Sequence, residues 1–329
     1  MSTQETNLKA IADAIRAKTG LTGTIKASEF ASNIAAIPTG VAKPKWTAAA
    51  SSPTGDVLES VCYGTGKFVA VSGTTNTVIY SYNGINWTQS TLPASASWCS
   101  VCYGGGKFVA VASGSTIAAY SSDGETWQQA TMPGQRYWTS VCYGGGKFVA
   151  VCSDSLLPAY STDGINWTSA RMPISTAWRS VCYGRGLFLA VASNSNISAY
   201  SSDGINWHQG TMPVSANWSS ICHGNYMFVA VATDSATVAC SLDGINWYQG
   251  TMPSSAWWAS VCYGSDKFVA VGGVDGIAAY SSDGETWQQV MLPSGNFSLH
   301  RTCYGKGKFI ATGSYGAVAY LKDSFDEWA

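Results

Sequence analysis

The sequence YSSDGETW at residues 120–127 returns with small edits at intervals of 40 residues. Its relatives end at Trp167, Trp207, Trp247 and Trp287, a looser YSYNGINW ends at Trp87, and a degenerate YLKDSFDEW ends at Trp328, one residue late. A fixed period of this length means one supersecondary unit stacked many times, with each copy burying its apolar face against the next. The fold is therefore set by what one period forms and by how the series closes.

One copy parses cleanly. Residues 100–103 read as a short strand, GGG as a turn, and KFVAVA at 107–112 as a buried strand. Residues 113–115 form a loop, 116–121 a third strand, and the Asp123-Gly124 turn leads into a fourth strand at 127–131. Met132-Pro133 ends the unit, with proline at an outer edge where a missing donor is harmless. Four short antiparallel strands per 40 residues predict a β-propeller blade. Cys62, Cys102, Cys142, Cys182, Cys222, Cys262 and Cys303 hold one position in successive copies, which predicts seven blades. The chain ends where a fourth strand should begin, whereas Trp46 to Ala49 opens the repeats as such a strand would. An N-terminal strand is thus expected to complete the last blade.

Residues 46–329 are accordingly read as an all-β, seven-bladed propeller, preceded by a linker at 39–45. Residues 1–38 carry Leu8, Ile11 and Ile15, then Phe30, Ile34 and Ile37, at helical spacing with a stop at Pro38. Two short amphipathic helices of this size cannot bury a core alone, so the module is expected to dock on a partner or on further copies of itself.

Only 11% of residues are charged and the net charge is -1, so no basic patch serves nucleic acid. No run of 18 apolar residues and no apolar leader core occur, and neither membrane insertion nor classical secretion is expected. One cysteine per repeat reads as a small buried hydrophobe. Cys99 and Cys102 form one isolated C-x-x-C, and no metal or other cofactor is expected.

Within SSDGETW, Ser121 and Asp123 can bond the amides of the tight turn while Gly124 supplies permissive φ. Asp123, Asp163, Asp203, Asp243 and Asp283 are therefore read as structural, and Asn83 as an uncharged equivalent. The conserved turns lie at one end of each blade. The other end carries the connections that differ between copies, and binding chemistry is assigned to it. A second tryptophan series, Trp98, Trp138, Trp178, Trp218 and Trp258, ends the blade-to-blade loops, with Leu58 and Leu299 at the remaining copies. Two readings stand: packing between blades, or a ring of indoles offering flat faces to a ligand. Tyr137, Trp257, Arg136, Arg179 and Asn217 lie beside them without repeating and are the candidate specificity residues.

S-x-D-G-x-T/N-W resembles the Asp-box (BNR) repeats of sialidase-like propellers, one residue shorter than their pattern. The resemblance implies that the box is a structural turn away from any active site. The catalytic apparatus of that family is not matched: Arg136, Arg179 and Arg301 occupy three different repeat positions. Asp154, Asp234 and Asp275 offer a carboxylate pair for glycoside hydrolysis, against solvated loop polarity as the alternative. His208, His223 and His300 fall at unrelated positions, and no Ser-His-Asp spacing stands out.

LKAIADAIRAKTGLTGTIKASEFASNIAAIP resembles a segment of tail-associated proteins in phages and prophages of Gram-positive bacteria, and the blade consensus is similar to repeats of phage and bacterial surface-recognition proteins. These resemblances imply a tail-fibre-like, receptor-binding protein of a virion or phage-tail-like particle. Its propeller would bind a host cell-surface glycan, and residues 1–38 would attach to tail or baseplate proteins. A glycan-cleaving propeller enzyme and a structural propeller for protein contacts remain as alternatives.

Overall fold

The computed structural model describes residues 44–49, 52–273, 276–293 and 298–322. The expected helical module at 1–38, Asp275 and Trp328 lie outside the described residues. From Lys45 onward the described residues belong to one compact unit.

The fold is all-β, and the four-strand period governs it. Among the described residues the strands form five four-stranded antiparallel sheets and one seven-stranded sheet. A typical sheet runs Trp138–Gly144, Lys147–Cys152, Ala159–Ser161 and Thr168–Ser169 in simple meander order. The first hairpin turns in two residues that both take positive φ, such as Gly105 at 53° and Gly106 at 77°. This pairing matches the twist of the flanking strands.

The seven-stranded sheet arises from one strand, His208–Gly224. Its first half pairs with Ser195–Ser201 and its second half, from Asn217, with Met227–Thr233. Pro213 lies inside this strand and leaves the connection extended rather than looped.

The N-terminal strand closes the molecule. Trp46–Ala48 pairs antiparallel with Val318–Lys322, Trp46 opposite Leu321 and Ala48 opposite Ala319. The first strands of the repeats also meet in a closed circuit. A methyl group on Gly104 would sit 2.0 Å from Cγ of Tyr143, so only glycine lets that ring lie flat on the preceding backbone. The same contact joins Gly64 to Tyr103 and, at the closure, Gly305 to Tyr63. Neighbouring repeats meet in separate apolar clusters, as where Val69, Val71, Trp98, Val101 and Phe108 interlock.

The turns of the repeated motif are built as their residue types predict. Ser121 Oγ donates to Asp123 Oδ1 at 2.8 Å, and Asp123 Oδ1 accepts the amides of Glu125 and Thr126, each at 2.8 Å. Asp163, Asp203, Asp243 and Asp283 accept the corresponding amides. Asn83 Oδ1 does the same for Ile85 and Asn86 without charge. Burial, the largest single influence, raises the Asp123 carboxyl, but the amides of Thr126 and Glu125 and the Ser121 hydroxyl together outweigh it and hold the group down at about 2.

A candidate active site at the mouth of the central channel

Every innermost strand opens with the same irregularity. Pairing slips between Leu58 and Ser60, between Trp98 and Ser100, and so on around the ring to Leu299 and Arg301. The residue between is left unpaired, and a bulge of this kind re-aims its side chain. The seven residues so displaced are Glu59, Cys99, Thr139, Arg179, Ser219, Ala259 and His300. Three of them reach across to the next strand's carbonyl: Cys99 Sγ to Trp138 at 3.0 Å, Thr139 Oγ1 to Trp178 at 2.8 Å, and Ser219 Oγ to Trp258 at 2.6 Å. Glu59, Arg179 and His300 instead bring ionisable groups to the channel.

One position further on, six serines clip the ring together. Ser60 Oγ accepts the amide of Val101 at 3.1 Å, and Ser100, Ser140, Ser180, Ser220 and Ser260 do the same for the strands that follow them. At the last junction the serine is replaced by Arg301, whose Nη1 donates to the carbonyls of Ala259 at 3.2 Å and His300 at 3.4 Å. A repeated stabilising contact is thus given up at one junction for a half-buried cation.

These residues converge on a cavity of about 290 Å³ lined by Glu59, Arg179, Ser219, Trp257, His300 and Arg301 among others. Because they come from inner strands on several sides of the ring, the cavity occupies the channel mouth. Glu59 Oε2 lies 3.1 Å from His300 Nδ1, and His300 Nε2 lies 3.1 Å from Ser314 Oγ. A carboxylate at Nδ1 fixes the proton there and leaves the Nε2 lone pair to accept from Ser314. Burial raises the Glu59 carboxyl, but the His300 hydrogen bond and the charges of Arg301 and Arg179 hold it below its ordinary value. Arg301 is pushed down by burial and by the like charge of Arg179, with Glu59 opposing. Two guanidinium groups facing one carboxylate leave the cavity positively charged.

Trp257 forms one wall. It is 45% exposed, and its ring lies against Gly273, where an added methyl would come within 2.9 Å of the indole. Cys99 adds no reactive thiol, since burial pushes it up to about 12. Among the described residues no three His, Cys, Asp or Glu side chains converge as a metal site.

The structure divides the other candidates. Trp98, Trp138, Trp178, Trp218 and Trp258 are each 0% exposed and sit inside the junction clusters, so a ring of exposed indoles is not formed. Apolar area of that size is worth more between blades than in water. Arg179 and Trp257 reach the cavity. Tyr137 is 61% exposed, but it stands apart from the cavity, its amide donating to Asp154 Oδ1 at 3.2 Å. Arg136 packs over Gly134, and Asn217 bonds Ser193, neither lining the cavity. Asp234 occupies a turn with φ of 56°. Among the described residues neither Asp154 nor Asp234 lines the cavity, where Glu59 is the acidic residue. Periodicity marks neither Glu59 nor His300. The signal for both is the residue that directly follows each Trp or Leu of the second series, the one place where a repeat position changes chemistry in every copy.

No protein-family model and no curated protein matches the chain. Solved structures do match. Virginiamycin B lyase from Staphylococcus aureus is similar over 84% of this chain and 99% of its own, at 10% identity and a TM-score of 0.78. A streptogramin B lyase structure is similar at 12% identity and 0.76 over 84% of this chain and 97% of its own. YCF48 bound to a D1 peptide is similar at 18% identity and 0.68, over 87% of this chain and 99% of its own. At these identities the likeness establishes the propeller fold alone. The expectation of a phage receptor-binding protein that recognises a glycan through the variable face is corrected, because the similar structures reported above are lyases and YCF48; of the two readings of the five indoles, burial between blades is the one found.

Proposed function

We propose that the chain is a seven-bladed propeller enzyme that cleaves a carboxylate-bearing glycan by elimination at the channel mouth. The seven-stranded sheet counts as two blades joined through His208–Gly224, and the repeated turns are Asp-box turns that hold the blades away from the chemistry. One observation carries the reading: the His300–Glu59 pair opens on a cavity that also holds Arg179 and Arg301. In this reaction the two guanidinium groups bind the substrate carboxylate and lower the cost of charge building up beside it. His300 Nε2, oriented by Glu59, takes the proton from the carbon next to that carboxylate. The electron pair forms the new C=C bond as the glycosidic oxygen departs. Trp257 offers a flat face to the sugar ring.

The lyases among the similar structures give a precedent for lyase chemistry on a propeller, and one is described as a catalytically inactive histidine-to-alanine variant of virginiamycin B lyase. The test is incubation of the purified protein with polygalacturonate, alginate and heparin, following the ultraviolet absorbance of the unsaturated product. Product from one of them, lost in His300→Ala and absent when the carboxylates are reduced to alcohols, is expected. No product from any, or undiminished product from His300→Ala, overturns the proposal.

A further inference from the structure

The geometry points to Ser314 as a nucleophile that, with His300 and Glu59, gives the same channel mouth the capacity to hydrolyse a carboxylic ester. The three side chains stand in line, Ser314 Oγ to His300 Nε2 at 3.1 Å and His300 Nδ1 to Glu59 Oε2 at 3.1 Å. A hydroxyl within hydrogen-bond reach of a base that a carboxylate orients is the arrangement of an activated nucleophile. Among the described residues, His300 is the one histidine paired with a carboxylate.

The turn that carries Ser314 is fixed independently of these bonds. Ser314 donates its amide to Ser298 O at 2.9 Å and its carbonyl accepts from Ala317 at 3.0 Å. Gly313 and Gly316 flank it, and a methyl on either would fall 1.9 Å from a backbone oxygen, of Ser298 and Thr54 respectively. Between them Tyr315 takes φ of 56° and is 81% exposed. A left-handed tyrosine in solvent gains nothing from its own packing; the strain is held by the two close-packed glycines and sets the direction of the serine. This connection is also one residue shorter than its counterparts, Lys308 to Tyr320 against Lys107 to Tyr120. Of the displaced channel groups with nucleophilic potential, Thr139 and Ser219 spend their hydroxyl hydrogens on the carbonyls of Trp178 and Trp258, and the Cys99 thiol is held protonated by burial.

The chemistry balances without a co-reactant beyond water. Ser314 passes its proton to His300 Nε2 as Oγ bonds the ester carbon. The alcohol leaves with that proton. Water then gives a proton to His300 and attacks the acyl carbon, and Ser314 recovers its hydrogen as the acid departs. Elimination and acyl transfer share His300 but not Ser314, so the two readings fail separately.

The test is labelling of the full chain with a reporter-bearing alkyl fluorophosphonate, mapped by peptide mass spectrometry, alongside turnover of p-nitrophenyl acetate. One adduct on Ser314 is expected, absent in Ser314→Ala and slowed by about a hundredfold or more in His300→Ala. Glu59→Gln should slow it by a smaller factor, with unfolding midpoints compared to show that each variant folds. No adduct on Ser314 of the folded protein, or an adduct formed equally fast in His300→Ala, overturns the assignment. Loss of labelling with elimination intact removes this inference alone; labelling without elimination removes the other.

Discussion

Trp138 and Trp178 occupy equivalent positions, and both are 0% exposed, yet replacing each with phenylalanine should have different consequences. Trp138 Nε1 donates to the carbonyl of Ser115 at 3.1 Å. Trp178 Nε1 is buried without a partner. Either substitution removes part of a ring from a packed junction, at about 1 kcal/mol if the lost volume is some 40 Å³ and each Å³ costs roughly 24 cal/mol. Trp138→Phe also orphans the Ser115 carbonyl, which adds about 1 kcal/mol because that carbonyl is only half-buried. Trp178→Phe removes an orphaned donor whose burial costs about 1–3 kcal/mol, so the gain offsets the cavity. The two variants should differ by about 2 kcal/mol, with Trp178→Phe near the parent. Urea unfolding read from midpoints at a shared slope measures this directly. Equal destabilisation, or the reverse order, would refute the assignment of these indoles to junction packing with unequal polar satisfaction.

Removing a clip, as in Ser100→Ala, strands the buried Val141 amide that now bonds it at 3.0 Å and should cost about 1–2 kcal/mol in the same unfolding assay. Asp123→Asn should keep the two turn bonds that Asn83 makes and lose only what the carboxylate charge adds to them at pH 7, whereas Asp123→Ala loses both bonds and should unfold earlier in urea. The Asp123 carboxyl lies below its ordinary 3.8, so its contribution is complete above that value and is lost as pH falls toward about 2. Acid unfolding should therefore begin below about pH 4 and be less steep in Asp123→Asn, and an unchanged acid limb would contradict this.

How much the sequence discloses depends on the length scale. A rigid 40-residue period specifies strand order, turn chemistry and even the closing partner of Trp46, because each follows from alternation and from turn residues that tolerate few substitutes. Exposure is another matter. Trp98 and Trp257 are the same residue type in neighbouring loop positions, yet one is sealed and the other lines a cavity. Trp257 stands one residue before Trp258, the equivalent of Trp98, and adjacent side chains of an extended segment point to opposite faces. The site is likewise dispersed: Glu59 and His300 are separated by 241 residues and meet only through ring closure. Ser314 escapes a motif search for the same reason, since its base and carboxylate come from different strands.

Arg301→Ser tests directly whether the last junction gives up stability for a functional cation. This change places at residue 301 the serine that clips the other junctions, and removes a half-buried charge repelled by Arg179. The variant should have an unfolding midpoint equal to or above that of the parent and should lose elimination on the carboxylate-bearing glycan. Full elimination activity in a normally folded Arg301→Ser protein would contradict it.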